Sequence, residues 1–195
     1  MIAIIDYDAG NVQSVKNALD DIGAEYKVTN SEYVICKADK IIFPGVGEAA
    51  SAMQKLHLYN LVNLLQIVKK PILGICLGLQ LFANHSSERD TNCLGIIDAD
   101  VFKFNEEKIT VPHMGWNKVK YVKESKLFNG ITDNSYFYFA NSYYLESNKF
   151  TIALTKHDVD FSSAIEYKNY YGVQFHPEKS GEAGIKLLKN FIELC

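Results

Sequence analysis

The sequence has few of the features that mark metal-bound, disulfide-stabilised or membrane-spanning proteins. Its four cysteines form no CxxC pair and its five histidines form no HxxxH pair, so we expect no structural metal. No apolar run approaches the roughly 20 residues of a membrane span, because Gln80 interrupts the longest stretch at 73–83. The first residues also carry no basic leader. We therefore expect a cytoplasmic chain whose cysteines are, by default, small buried apolar residues.

Neither sign of charge dominates the chain. Lys and Arg number 20 and Asp and Glu number 23, which gives a net charge of −3 and argues against nucleic acid as a ligand. There are only four prolines, and no segment rich in Pro, Gly and Ser that would serve as a linker. With 195 residues, 48% of them hydrophobic, the chain can form one domain over residues 1–195. The expected ligand is a small molecule, with no nucleic acid and no membrane.

The first half of the sequence alternates short apolar strands with amphipathic helices. Residues 2–6 predict a buried strand, and the helical spacing of apolar residues over 12–22 predicts a helix, with Asn11 at its start and Gly23 at its end. Further strands are predicted at 25–28, 40–43 and 72–75, and helical segments at 48–69 and 77–82. This alternation is typical of an α/β fold with a mainly parallel sheet between two layers of helices.

The second half is richer in β-branched and aromatic residues separated by turn residues. This pattern predicts strands at 108–111, 116–122, 136–144, 150–155 and 163–167. We expect them to be antiparallel strands added at one edge or end of the sheet. Apolar residues at spacings of three and four predict a closing helix over 180–194. The fold class is therefore α/β, a single domain with a mainly parallel mixed sheet flanked by helices.

A glycine-rich turn, Gly45-Val46-Gly47, follows the strand predicted at 40–43. It fits the GxGxxA form of a dinucleotide-binding motif, but no acidic residue lies between Glu48 and Glu88, where such a site needs one to bind the ribose. A glycine-rich turn at the carboxyl end of a strand can instead direct backbone N–H groups into a pocket. We interpret this turn as a candidate oxyanion hole.

Cys76 lies where the strand predicted at 72–75 meets a helical segment. Gly74 and Gly78 flank it two positions away on each side, as small residues flank the serine of the G-x-S-x-G nucleophile elbow. A helix N-terminus next to the thiol favours the thiolate, which is the reactive form of cysteine. Two glycines that only allow a strand and a helix to pack closely would give the same pattern, so this motif alone leaves both interpretations open.

His176 precedes Pro177 and Glu178. Proline disfavours a helical conformation of the residue before it, so we predict an extended segment in which residues 176 and 178 project to the same side. A carboxylate on one ring nitrogen leaves the other nitrogen free to exchange a proton with a thiol. The triplet alone also fits a solvent-exposed pair.

A thiol on an elbow, a histidine with an orienting carboxylate and a donor turn are together the parts of covalent acyl transfer. Ligands bind at the carboxyl ends of strands in parallel α/β sheets, so these parts can meet although about 100 residues separate Cys76 from His176. Three other histidines are expected at the surface or at helix ends: His57, His85 and His157.

These residues resemble those of the class I (triad) glutamine amidotransferases. The resemblance rests first on GICLGLQ at 74–80 and HPE at 176–178. It is narrowed to the glutaminase subunits of imidazole glycerol phosphate synthase by IIDY at 4–7 followed by Gly10 and Asn11, PGVG at 44–47, PHMGWN at 112–117 and GVQFHPEKS at 172–180. It extends over essentially the whole chain and implies the flavodoxin-like fold of that family.

The resemblance also implies a reaction and its site residues. Cys76 would attack the side-chain amide of L-glutamine, His176 would protonate the departing ammonia and then activate water, and Glu178 would orient His176. The products would be L-glutamate and ammonia, with no cofactor. The implied oxyanion hole consists of backbone N–H groups at Gly45, Val46, Gly47 and Leu77. The implied glutamine-binding residues are Gln80, Ser142 and Tyr143.

A partner subunit is implied as well. Members of this branch channel ammonia to a (β/α)₈ barrel synthase, or cyclase, in a heterodimer that serves histidine biosynthesis. The implied contact residues are Met114, Trp116, Asn117 and Tyr138. Aromatic side chains are favoured at interfaces, but the same segments would also suit a buried edge strand.

The sequence departs from the family pattern at two sites, one residue and one pair of residues. Asn141 stands where the family usually has histidine, and Asp8-Ala9 stands where a pair such as Gly-Met is more usual. Asn141 cannot titrate, so local hydrogen bonding there would differ. A paralogue that feeds ammonia to a related synthase, for example in amidation of a surface sugar, therefore stays open.

Two further functions compete with the amidotransferase interpretation. A stand-alone cysteine hydrolase on the same scaffold would need no partner. A non-catalytic interaction module would have no need to retain Cys76, His176 and Glu178 together, so the sequence argues against it.

Overall fold

The computed structural model describes residues 1–8 and 11–195. Gly10, part of the sequence resemblance, and Ala9, one of its departures, lie outside the described residues. The helices are α1 (Val12–Ile22), α2 (Glu32–Lys37), α3 (Ala49–Leu58), α4 (Leu61–Ile67), α5 (Leu77–Gln80) and α6 (Gly181–Leu194). Short 3₁₀ turns occur at Glu88–Asp90, Lys126–Phe128 and Pro177–Lys179.

The strands alternate with helices in the first half and follow one another in the second. They are β1 (Ile2–Ile5), β2 (Tyr26–Thr29), β3 (Lys40–Gly45), β4 (Ile72–Cys76), β5 (His85–Ser86), β6 (Thr91–Asn92), β7 (Asp100–Lys103), β8 (His113–Lys118), β9 (Lys120–Tyr121), β10 (Tyr136–Asn141), β11 (Tyr143–Leu145), β12 (Thr151–His157), β13 (Val159–Tyr167) and β14 (Tyr170–Val173).

The central sheet has eight strands in the order β2-β1-β3-β4-β14-β13-β12-β9. The five strands from β2 to β14 pair in parallel, and β13, β12 and β9 continue the sheet in antiparallel fashion. Taken in chain order, the parallel part has the 2-1-3-4-5 arrangement of flavodoxin-like folds. The predicted α/β class, with a mainly parallel mixed sheet and antiparallel strands added at one edge, is confirmed.

Alternate residues of the central strands face opposite layers of helices. Ile5 and Phe43 pack in one core with residues of α2, α3 and α4, whereas Ile4 and Leu73 pack in the other with residues of α1 and α6. Burial of each such side chain contributes roughly 1.5–3 kcal/mol. The two cores together hold the strand ends in fixed positions.

Helix boundaries agree with the sequence prediction at α1 and differ at 48–69. Asn11 accepts the N–H of Ser14, and Gly23 ends α1 at φ 73°, as predicted. The segment predicted as helical over 48–69 is divided into α3 and α4, because Asn60 adopts a left-handed conformation at φ 56° between them.

The second half shows where the predicted strands were wrong. No strand forms at 108–111, where the N–H groups of Lys108 and Ile109 turn back to the carbonyl of Asn105. The segment predicted at 136–144 is interrupted at Ser142 and yields two strands in different sheets. Within residues 1–8 and 11–195, strand β10 pairs with β8 alone, and β11 joins β7, β5 and β6, so these strands do not extend the central sheet.

The default expectation of buried cysteines is confirmed for Cys76 and wrong for Cys36. Cys76 is buried, Cys93 and Cys195 are half-buried, and Cys36 is exposed on α2, where Ile35 supplies the packed side chain. Over residues 1–8 and 11–195, no helix has both the length and the apolar character needed to cross a membrane.

Candidate active site

Three neighbouring parallel strands of the central sheet bring the predicted site residues together at their carboxyl-terminal ends. Gly45 at the end of β3 lies in register with Cys76 at the end of β4. On the other side of β4, Val173 at the end of β14 lies in register with Ile75, and the chain continues from there to His176. Because the three strands run in the same direction, their carboxyl ends meet, and this closes the gap of about 100 residues between Cys76 and His176.

Cys76 occupies a strained turn between β4 and α5. Its φ of 53° and ψ of −109° are unusual for a residue with a side chain. A Cβ on Gly78 would lie 2.0 Å from the carbonyl oxygen of Phe43, and a Cβ on Gly74 would lie 2.7 Å from the ring of Phe82. Both flanking glycines therefore permit a close approach that this turn requires. The following helix, α5, is one turn long and ends at Gln80, short of the predicted 77–82.

His176 and Glu178 form a buried pair. The Nδ1 atom of His176 lies 2.8 Å from Oε1 of Glu178, and the two side chains are 3% and 1% exposed. His176 itself is extended, at φ −98° and ψ 95°, but Pro177–Lys179 is a 3₁₀ turn. The predicted extended course through 178 is thus wrong, and the turn is what carries the carboxylate back to the imidazole.

The surroundings of His176 favour its charged form. Burial lowers its pKa, but the neighbouring Cys76 and the hydrogen-bonded Glu178 outweigh that effect and raise the pKa to about 10. At neutral pH the imidazole therefore carries a proton between a thiol and a carboxylate. This is the arrangement that stabilises a cysteine thiolate as an ion pair.

A cavity of about 210 Å³ opens beside Cys76. Six of the residues predicted for the oxyanion hole or for glutamine binding line it: Val46, Gly47, Leu77, Gln80, Ser142 and Tyr143. Gly45 lies next to this wall, in register with Cys76. The cavity thus adjoins the thiol, the glycine-rich turn and the loop between β10 and β11.

Glu88 also lines this cavity, although no sequence pattern marked it as a site residue. Its Oε2 atom accepts the N–H of Ala49 at 2.7 Å, and burial raises the pKa of its carboxyl group. Next to it, Arg89 forms an ion pair with Glu48 at the end of the glycine-rich turn. An acidic residue in a turn carries no sequence signal of its own, and only the fold brings it into the cavity.

Asn141 lies in the cavity wall beside a second buried polar residue. Its Nδ2 donates to the carbonyl of Tyr143 at 2.9 Å, and its buried Oδ1 accepts no hydrogen bond from any residue that the structure describes. Its cross-strand neighbour is His113, whose pKa is lowered to about 4 by burial and by His157. His113 is therefore neutral, and the position where the family usually has histidine adjoins an uncharged imidazole.

The other histidines differ in how well they match their predicted positions. His57 is exposed on α3, as expected, and His85 is half-buried in β5. His157 is neither at a helix end nor fully exposed. It ends β12, and its ring stacks on that of His113 with centroids 4.0 Å apart.

The predicted partner-contact residues lie on the two-stranded sheet of β8 and β10. Met114 and Trp116 are 67% and 55% exposed, and Tyr138 pairs with Trp116 across the strands, with ring centroids 6.1 Å apart. Asn117 is turned to the chain itself, because its Nδ2 donates to Lys156 and contacts His113. Asn117 therefore offers less to a partner than predicted.

The exposed face formed by β8 and β10 is connected to the predicted catalytic residues. Met114 also lines the cavity, so the face adjoins it directly. The N–H of His176 donates to the carbonyl of Tyr138 at 2.8 Å, and Ser180 Oγ donates to the carbonyl of His176. A displacement of β10 would therefore act on His176 through a hydrogen bond.

A larger open groove of about 1160 Å³ lies by β9 and the end of α6, and it contains none of the predicted site residues. In the described part of the chain, no group of three or more His, Cys, Asp or Glu side chains is placed to hold a metal ion.

Comparison with known proteins identifies the family. The sequence model of the family described as Glutamine amidotransferase class-I matches residues 3–194. The chain belongs to this family. It is 47% identical over 197 residues to Imidazole glycerol phosphate synthase subunit HisH of Bacteroides fragilis, and 45% identical over 194 residues to that of Escherichia coli K12; each match covers 99% of both chains.

Solved structures agree on the fold of this amidotransferase. A crystal structure of glutamine amidotransferase superimposes with a TM-score of 0.77 at 16% identity, over 100% of this chain and 98% of the other. A glutamine amidotransferase from Thermotoga maritima gives a TM-score of 0.65 at 16% identity, over 98% of this chain and 80% of the other.

The pKa of His176 yields a prediction for Glu178→Gln. The variant loses one of the two groups that raise this pKa, so the pKa should fall below the native value of about 10. Because the pKa is raised on folding from 6.5, protonated His176 stabilises the native state fully below about pH 6.5, and this contribution is lost as pH rises through about 10. In Glu178→Gln this contribution to native-state stability should be lost at a lower pH than in the native chain. NMR titration of His176 and urea unfolding between about pH 6 and 10 measure both effects.

Glu182→Gln is the matched control, since it removes the same charge from an exposed position on α6. It should leave the titration of His176 unchanged. An unchanged His176 titration in Glu178→Gln would contradict the assigned pairing.

Proposed function

We propose that this chain is the glutaminase subunit of an imidazole glycerol phosphate synthase. It hydrolyses L-glutamine to L-glutamate and ammonia, and it passes the ammonia to a (β/α)₈ barrel synthase subunit in histidine biosynthesis. The observation that carries the glutaminase assignment is the elbow thiol of Cys76 beside the buried pair of His176 and Glu178. The names of the relatives at 45–47% identity support the pathway and, through the word subunit, the partner.

In the first half of the proposed reaction, the Cys76 thiolate attacks the side-chain carbonyl carbon of glutamine. A carbon–sulfur bond forms while the carbonyl electrons move to oxygen. Backbone N–H groups of Leu77 and of the Gly45–Val46–Gly47 turn are the proposed donors to this oxyanion, and one such donor is worth about 10²- to 10³-fold in rate. The carbon–nitrogen bond then breaks as His176 gives its proton to the departing nitrogen, which leaves as ammonia.

In the second half, water hydrolyses the thioester. His176, now neutral, accepts a proton from water while the water oxygen attacks the acyl carbon. Collapse of this second tetrahedral species breaks the carbon–sulfur bond, releases glutamate and restores the thiolate beside a protonated His176. Glu178 holds the imidazole through Nδ1, which leaves Nε2 to exchange the proton in both halves.

Recognition of glutamine is proposed to depend on the walls of the cavity. Glu88 is the one carboxylate among the described residues that line it, and it would pair with the α-ammonium group of the substrate. Both amide hydrogens of Gln80 are used within the chain, on Tyr143 and Gln174, so Gln80 can offer glutamine only its carbonyl oxygen. Ser142 and Tyr143 remain the proposed contacts for the rest of the amino-acid end.

The barrel synthase is proposed to dock on the exposed face of β8 and β10. Met114 and Trp116 supply an exposed apolar surface beside the cavity, and ammonia released at Cys76 would leave towards it. Because the N–H of His176 donates to the carbonyl of Tyr138, a shift of β10 on docking would change the position of the proposed catalytic base. This supports a glutaminase that is stimulated by its partner rather than a stand-alone hydrolase.

Cys76→Ser tests the proposed function. The weaker nucleophile should reduce glutamate release from glutamine by at least about 10³-fold, while folding and binding of the barrel synthase persist. Ammonium salts should restore product formation by the reconstituted complex, because the acceptor chemistry resides on the other subunit. Coupled glutamate assays and synthase assays with each nitrogen source measure this.

Near-normal glutamate release by Cys76→Ser would show that Cys76 is not the nucleophile. Full turnover of glutamine and of unrelated amides by the native chain alone would favour a stand-alone hydrolase. Ammonia transfer to a different barrel synthase, with none to the imidazole glycerol phosphate pathway, would favour a paralogue.

Glu88→Gln tests the proposed binding of the α-ammonium group. Loss of a charge-assisted hydrogen bond should raise KM for glutamine about tenfold or more and change kcat little. Steady-state kinetics measure the two constants separately. Glu107→Gln, at an exposed position outside the cavity, is the control and should match the native enzyme. A native KM for glutamine in Glu88→Gln would show that Glu88 does not bind the substrate.

Trp116→Ala tests the proposed docking face. Removal of an exposed aromatic anchor should weaken binding of the barrel synthase about tenfold or more. Titration calorimetry with the purified barrel synthase measures this, and the unstimulated glutaminase rate should stay within about twofold of native. Tyr33→Ala, which removes an aromatic residue that is 65% exposed on α2, should leave binding unchanged. Equal effects of the two variants would place the interface elsewhere.

A further inference from the structure

Two buried side-chain amides, those of Gln174 and Gln80, connect the Cys76 sulfur with the wall of the cavity beside it through a series of polar contacts. Gln174, fully buried between β14 and His176, places its Nε2 atom 3.6 Å from Sγ of Cys76. Its Oε1 atom accepts from Nε2 of Gln80 at 2.9 Å. The same Nε2 of Gln80 donates to the carbonyl of Tyr143 at 2.8 Å.

The carbonyl of Tyr143 determines the direction of every bond in this chain. A carbonyl oxygen can only accept, so Gln80 must turn its NH₂ group towards it. The second hydrogen of that group points to Gln174, which must present its own oxygen in return. The NH₂ group of Gln174 is then left to face the sulfur of Cys76. The orientation of both amides thus follows from the contacts themselves.

An N–H donor aimed at sulfur stabilises the thiolate more than the thiol, because hydrogen bonds to an anionic acceptor are stronger. We propose that Gln174 stabilises the Cys76 thiolate as a neutral donor beside His176, and that Gln80 is a positioning residue that holds the Gln174 amide in its donating orientation. This inference rests on the proposed function, because it requires Cys76 to be the nucleophile.

The other groups that face Cys76 do not duplicate this role. His176, beyond β14, is the charged donor and also holds the proton for the leaving group. Tyr7, beyond β1, has a pKa raised by burial and by Cys76, and its hydroxyl donates to the carbonyl of Pro44 at 3.0 Å. Glu88 brings a carboxylate to the same cavity and disfavours a second negative charge there. Among the described residues, Gln174 is therefore the neutral side-chain donor to this sulfur.

The test is the pH dependence of alkylation at Cys76 in the full chain. Iodoacetamide reacts with the thiolate, and the tryptic peptide 70–89 contains Cys76 and no other cysteine, so mass spectrometry separates its labelling from that of the exposed Cys36. Gln174→Leu removes the donor at similar size. The labelling midpoint should move to higher pH, and both the labelling rate at pH 7 and kcat for glutamine should fall about tenfold, with KM little changed.

Three further variants sharpen the result. Gln174→Glu keeps the shape but places an acceptor against the sulfur, so its midpoint should move further than that of Gln174→Leu; it also serves if the leucine variant does not fold. Gln80→Leu should move the midpoint in the same direction by a smaller amount, since the Gln174 amide is no longer held. Gln66→Leu removes a side-chain amide that donates to the carbonyl of Leu94, away from the site, and should label like the native chain.

A native labelling midpoint and a native kcat in Gln174→Leu, or in Gln174→Glu if the leucine variant does not fold, would overturn the role of Gln174. A native midpoint in Gln80→Leu would overturn the positioning role of Gln80. A lower melting temperature with an unmoved midpoint would show that Gln174 is only structural. These results are distinct from failure of the proposed function, which would appear as undiminished glutamate release in Cys76→Ser.

Discussion

Parallel pairing of β4 with β3 on one side and with β14 on the other sets the position of every proposed reacting group. The register of these strands places Gly45 beside Cys76 and brings the segment after Val173 to the same edge. Residues about 100 positions apart are thereby held by backbone hydrogen bonds of a sheet that is buried on both faces. The elbow at Cys76 depends on the same pairing, because Gly78 must approach the Phe43 carbonyl on β3.

The charged pair at the carboxyl ends of these strands is almost fully buried, with the side chains of His176 and Glu178 3% and 1% exposed. Burial of His176 and Glu178 would be costly for either group alone, since an unpaired buried charge is destabilising. Their pairing offsets the free-energy cost of burying each charge. Cys76 further favours protonated His176 by raising its pKa. Removal of Cys76 or Glu178 therefore removes one of the groups that raise the pKa of His176.

The small sheet of β8 and β10 connects the site at the carboxyl ends of the central strands with the protein surface. Its exposed residues, Met114 and Trp116, adjoin the cavity, and the carbonyl of Tyr138 accepts the N–H of His176. The exposed face and the segment that carries His176 are thus joined at the same strand, β10. In the complex proposed above, docking on this face would therefore act on His176 through β10.

Local pattern in the sequence was sufficient for the α/β class and for the limits of α1, which depend on residues close in the chain: alternation of apolar strands with helices, helical periodicity and a cap at Asn11. The same local pattern marked Cys76 between two glycines and His176 near Glu178, but it left their functional and structural interpretations open. Partners distant in sequence were decided by tertiary structure alone. The division of 136–144 into two strands of different sheets, the turn at 108–111, the placement of Glu88 in the cavity and the contact of Gln174 with sulfur all depend on packing between remote segments, and no spacing in the sequence records it.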